Sequence, residues 1–186
     1  MVTKTLLTAE DLLELPYDGR RYELLDGELK ELPLIGFKAA TAQSRITRLL
    51  GDHVEERDLG EVASGDPGII LRRNPDRVRG PDVAFFSKDR VPAVEPDTFV
   101  DVVPDFLVEV ISPNDKAFEV QDKIEEWLRA GVRLVWAVYP STRSVVAYRS
   151  PSDIRLYGAS DTITGEPALP EFACEVWRFF GRNAQK

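Results

Sequence analysis

FLVEVISPNDKAFEVQDKIEEWLRAGVRLVWAVY, Phe106 to Tyr139, carries the pattern that decides the fold. Phe106 to Ile111 is an almost unbroken apolar run, as expected of a central strand covered on both faces. Pro113 ends it. Asn114 or Asp115 is placed to cap a helix running to about Ala130, and Gly131 is placed to close it. Val132 to Tyr139 reads as a second apolar strand. A strand, helix and strand of these lengths form a crossover joining two parallel strands, and such crossovers are right-handed. One residue stands out in this pattern: Glu109, a carboxylate in the middle of the most hydrophobic run.

Ionised carboxylates are rarely fully buried unless a cation or a metal accompanies them. One candidate partner is Lys123. At about 100° per residue, Val120, Ile124, Trp127 and Gly131 form the inward stripe of the helix. Lys123 lies within that stripe and Lys116 falls on the same inner face, while Asp122, Glu125, Glu126 and Arg129 point away. The other candidate neighbour is Asp82, which opens a second apolar run, PDVAFF. Two carboxylates at neighbouring strand ends repel, so that one keeps a proton or a cation sits between them. From the residues alone three readings stay open. The acids hold a metal, or Glu109 and Lys123 form a structural ion pair, or Asp82 simply caps the turn after Gly80-Pro81.

Outward from this unit, Thr8 to Leu15 reads as a short helix capped by Thr8 and stopped by Pro16. Asp26-Gly27 joins two strands of a hairpin. Lys38 to Asp58 reads as a long helix with Ala42, Ile46, Leu49, Leu50 and Val54 on one face. Glu61–Ser64, Gly68–Leu71 and Asp82–Phe86 are short strands, with RRNPDRVRGP as a polar loop between the last two. Val91 to Pro104 is an irregular connection. Ser144–Arg149, Ile154–Tyr157 and a segment near Glu175–Phe180 complete the strands. The expectation is a single mixed α/β domain over residues 1–186, with its core at about 20–180.

The 186 residues are 43% hydrophobic and 30% charged, the balance of a globular domain. One cysteine (Cys174) and one histidine (His53) exclude a Cys/His zinc site within the chain. A metal would therefore rest on carboxylates, which favours magnesium or manganese. The apolar runs are too short to span a membrane. The N-terminus lacks the form of a signal peptide, and cytoplasmic residence is the simplest expectation. The net charge of −8 excludes a generally basic nucleic-acid coat protein. A nucleic-acid contact needs a local basic patch, and Arg72, Arg73, Arg77 and Arg79 offer one just before Asp82.

RYELLDGEL, GPDVAF, FLVEVISP and DKIEEWLRAGVRLVWAVYP, in this order and spacing, resemble the Uma-type (Uma two) family of restriction-endonuclease-like proteins, a branch of the PD-(D/E)XK nuclease superfamily. The resemblance runs from about Leu6 to Phe180. It implies a mixed β-sheet flanked by helices and metal-dependent hydrolysis of phosphodiesters, with DNA the expected substrate. Pro81-Asp82 matches the PD element and Glu109 the second acid, with the Val110 carbonyl as a further metal ligand. The superfamily lysine would fall at Ile111, which cannot serve. In this branch a lysine of the next helix takes that role, and Lys123 matches it. Glu28 matches an acidic position of the branch. Gln43 stands where the branch carries a histidine, and glutamine can bond a phosphate or water but cannot act as an acid or base. By the same resemblance the chain is expected to form a homodimer. Val176, Trp177, Phe179 and Phe180 are either core or its interface. The alternative is a binding or assembly protein that keeps the nuclease fold without cutting.

Overall fold

The computed structural model describes residues 5–16, 18–91 and 98–181. A six-stranded mixed sheet forms the centre. In spatial order it contains β10 (Asp153–Tyr157), β9 (Ser144–Ser150), β8 (Leu134–Tyr139), β7 (Phe106–Val110), β6 (Val83–Ser87) and β3 (Gly60–Ser64). Only β7 and β8 run parallel, joined by helix α3 (Ala117–Ala130), as the crossover pattern requires. Val108 and Trp136 face one side of this sheet and Leu107 and Val135 the other, because successive strand residues alternate. Helix α2 (Phe37–Glu56) covers the first side with Ala42, Ile46 and Leu50. Helix α3 covers the second with Ile124 and Trp127.

A second, antiparallel sheet has the order β2 (Glu28–Leu32), β1 (Arg21–Leu25), β5 (Arg77–Arg79) and β4 (Ile69–Arg72). Its small core joins Leu24 and Val78 to Ala9 and Leu12 of α1 (Ala9–Leu13), which starts on a Thr8–Asp11 capping box. Asp26 and Gly27 both take positive φ in the β1–β2 turn, and a Cβ on Gly27 would lie 2.6 Å from that of Leu6. Both facts explain the Asp-Gly pair.

Several expectations need correction. RRNPDRVRGP is not a loop but most of the β4–β5 hairpin. Val78 is buried and pairs with Leu24, so packing overrides the polar composition. Asp115 does not cap α3. Its carboxylate accepts from the Ser112 N–H at 2.7 Å, closing a turn, and the helix starts two residues later behind Lys116. The segment near Glu175–Phe180 is strand only in β12 (Ala173–Glu175), which pairs with an unanticipated β11 (Thr162–Thr164). A 3-10 turn then spans Val176–Phe179, whose two ends are buried, a spacing of three suited to that helix. Of the Val91–Pro104 connection, residues 92–97 lie outside the described residues.

Candidate active site

Alternation and register bring the acids together. Glu109 shares the α3 face with Leu107, and Asp82 continues the α3 face of Ala84 and Phe86. Val83 pairs with Val108 and Ala84 with Leu107, so one further step sets Asp82 opposite Glu109. Side chains directly opposite on one face sit within about 5 Å at Cβ, and like charges there are unfavourable. The Val110 N–H donates to Asp82 Oδ2 at 2.6 Å and fixes that carboxylate across the strand pair. The Gln43 amide donates to the Asp82 carbonyl at 2.8 Å from α2, so it holds the backbone of Asp82.

Glu109 is buried, with both oxygens engaged. Trp127 Nε1 donates to Oε1 at 2.8 Å and Lys123 Nζ to Oε2 at 2.9 Å. Lys123 also donates to the Gly80 carbonyl at 3.0 Å and stands 3.3 Å from Glu23 Oε1. Glu23, on β1 and 2% exposed, is the residue that the sequence reading missed. No pattern within β1 could have found it, since alternation turns Glu23 to the face opposite Leu24, and that face is covered only by groups distant in sequence. Arg79 bonds it at 2.6 Å and continues to Glu126 of α3 at 2.9 Å. Glu126 therefore does not point away. It faces the β4–β5 hairpin, because besides its buried flank of Ile124 and Trp127 α3 has a half-buried one with Lys123 and Glu126 that meets the second sheet through Arg77 and Arg79. Lys116 is exposed and paired with Glu119.

Burial is the largest influence on Asp82 and lifts its carboxyl to about 6, against the Val110 hydrogen bond and Lys123. Burial lifts Glu109 to about 7, opposed by Lys123 and aided by the charge of Asp82. Burial would depress the Lys123 amine, but Glu109 and Glu23 outweigh it and hold it above the usual lysine range. Burial would raise Glu23 also, but Lys123 and Arg79 prevail and keep it below the usual carboxylate range. Without a metal, Lys123 is thus a cation among acids that donates to Glu109 and the Gly80 carbonyl.

A cleft of about 370 Å³ opens above these groups, between the β1–β2 hairpin and the β7–α3 turn. Asp82, Glu109, Val110, Lys123 and Glu23 line it, with Arg21 and Asp66, which form an ion pair. Seven carboxylates and five cationic side chains line it in all, so acids outnumber bases in its walls. Glu28 does not line the cleft. It is exposed at the start of β2, and the hairpin contributes Glu23 in its place. The four arginines are charge-balanced. Arg72 pairs with Asp26, Arg73 with Glu10 and Asp76, Arg77 with Asp26 and Glu126, and Arg79 with Glu23 and Glu126. The expected basic patch is therefore an ion-pair network. Among the described residues no group of three His, Cys, Asp or Glu side chains forms a metal cage. The two opposed carboxylates nevertheless suit magnesium, which binds through one or two carboxylates and fills its other positions with water and phosphate.

The family model "Uma2: Putative restriction endonuclease" matches residues 9–177. The chain belongs to the Uma2 family. Similarity to a solved structure agrees on the fold. The "Crystal structure of a putative nuclease belonging to DUF820 from Anabaena variabilis ATCC 29413" superimposes with a TM-score of 0.79 at 19% identity, over 94% of this chain and 97% of that one. No curated protein matches the chain. The Uma2 resemblance read from the sequence and the mixed sheet flanked by helices are both borne out. Among the described residues no helix is long and apolar enough to cross a membrane.

Proposed function

We propose that this Uma2 protein is a divalent-metal-dependent nuclease acting on nucleic acid, with DNA the first substrate to test. The observation that carries the reading is the register that opposes Asp82 to Glu109 in a cleft whose walls hold more acids than bases. Asp82 and Glu109, with the Val110 carbonyl, would hold magnesium or manganese, which when bound supplies an activated water and a polarised phosphate. Lys123 orients the Glu109 carboxylate and offers positive charge to the phosphate as it gains charge. Glu23 and Arg79 hold Lys123 in place. Gln43 positions Asp82 through its carbonyl. Arg72 and Arg73, at the exposed tip of their hairpin, would reach a bound strand only by exchanging Asp26, Glu10 and Asp76 for phosphate. The single, buried cysteine suits the reducing cytoplasm.

A specific observation favours a second reading. Both Glu109 oxygens already have protein partners, as in a structural ion pair or a binding protein that no longer cuts. Calorimetric titration of magnesium and manganese into wild type and Asp82→Ala/Glu109→Ala, with cleavage assays on DNA and RNA, separates the two. Saturable binding lost in the double variant, with cutting by wild type only, is expected. Absence of both binding and cutting in wild type would leave the ion pair as structural.

The proposed homodimer needs a surface. Val176 and Phe179 are core, Phe180 packs against them and Trp177 is half-buried, so the C-terminal cluster leaves little free apolar surface. Strand β10 offers one: it is an edge strand with Ile154 and Leu156 exposed on one face. Two copies paired antiparallel about Ile154 would set Asp153 of each opposite Arg155 of the other. Sedimentation of Asp153→Arg should then show monomer, and Asp153→Arg/Arg155→Asp should restore the dimer. A dimer unaffected by the single reversal rejects this interface.

A further inference from the structure

Two of the large exposed apolar side chains, Leu34 and Ile35, line the cleft, and two more, Phe37 and Phe118, lie within two residues of lining positions in the chain. Leu34, 91% exposed, and Ile35 line one lip, and Phe37, 85% exposed, follows them at the start of α2. On the other lip Phe118, 63% exposed, lies between the lining residues Lys116 and Glu119, with Lys116 Nζ 5.6 Å from its ring centroid. Lys30 Nζ of β2 bonds Glu119 of α3 at 3.1 Å, so this contact joins the two walls of the cleft. A surface with two bare phenylalanines and a few lysines differs from one built for a duplex. A duplex hides its base faces and is held by cations along two stiff backbones, and here the arginine hairpin is held in ion pairs and the two mouth lysines share the single carboxylate of Glu119. An unpaired strand exposes base faces, which stack on aromatic rings whatever their sequence.

We propose that the mouth binds a single-stranded segment of nucleic acid, with bases on Phe37 and Phe118 and phosphates beside Lys30 and Lys116, leading the strand over Asp82 and Glu109. This rests on the nuclease reading of the cleft and specifies its substrate. The stacking rings set affinity, and the acids below them set chemistry.

The test is fluorescence anisotropy of the full chain with labelled single-stranded and duplex oligonucleotides of DNA and RNA, with calcium in place of magnesium to hold off cleavage. Single strands are expected to bind at least about tenfold more tightly than duplexes. Phe37→Ala and Phe118→Ala should each weaken single-strand binding by about 5- to 100-fold. Both variants should keep the wild-type calorimetric response to magnesium, since neither residue is near the acids in the register. Duplex binding that equals or exceeds single-strand binding, or single-strand binding that survives both substitutions, overturns the proposal and leaves the nuclease reading standing. Failure of every nucleic acid to bind while magnesium still binds overturns both.

Discussion

Replacing Lys123 with methionine is expected to lower cleavage by at least about 10²-fold and to destabilise the protein by about 3–5 kcal/mol near pH 8. Methionine keeps an unbranched stem of similar length, so the loss comes from the charge. In wild type the ammonium serves Glu109, Glu23 and the Gly80 carbonyl at once. Without it Glu23 retains Arg79 and the Gly80 N–H. Glu109 retains only the Trp127 N–H, which cannot balance a buried negative charge. The cost should shrink by pH 5.5, where Glu109 takes up a proton, and should also shrink when magnesium is added at pH 8. Urea denaturation at the two pH values, with and without magnesium, measures it. Unchanged or increased stability at pH 8 would mean that Glu109 is already protonated beside Lys123, and full cleavage would remove Lys123 from the chemistry.

Metal-free wild type should itself lose stability as pH rises from about 5 to 8. The folded carboxyls of Asp82, at about 6, and Glu109, at about 7, lie above their ordinary values of 3.8 and 4.5. Between those limits the native state binds more protons than the unfolded chain, so stability falls with rising pH. The expected loss is on the order of 3 kcal/mol, because the two acids are coupled and do not contribute independently. Lys123 does not alter this window. Its raised value makes its stabilisation complete below the ordinary lysine range and lost only above it. Glu23, held low, contributes stability that fades only as pH falls below the ordinary carboxylate range. Magnesium should raise the melting temperature at pH 8 and have little effect at pH 5, since it competes with the protons. Melting curves at pH 5, 6, 7 and 8 provide the check. A flat metal-free profile would place both acids in the usual carboxylate range and remove the driving force for a metal between them.

Both expectations depend on neighbours far apart in sequence, and this separates what could be read from the chain. The apolar runs at Phe106–Ile111 and Val132–Tyr139, the intervening amphipathic helix and the Asp-Gly turn are local patterns. Each depends on residues a few positions apart, so sequence alone determined the parallel strand pair, the long helices and the mixed α/β class. It also singled out Glu109, because a carboxylate in a two-sided apolar strand is anomalous wherever the strand lies. Lys123 was legible by helical period, since the helix presents it and Trp127 to the same strand.

What tertiary structure alone decided is where charges find one another. The opposition of Asp82 and Glu109 is a matter of register between strands separated by a long connection. The role of Glu23 depends on a second sheet packing beside the first, and no local pattern of β1 announces it. The arginines before Asp82 look like a basic patch in one dimension. In three dimensions Asp26, Glu23 and Glu126 reach them from a turn, a strand and a helix. Sequence distributes the charges, but a Coulomb interaction falls off with distance in space and strengthens out of water. Only the packed chain determines which carboxylates remain for a metal and which are held in ion pairs.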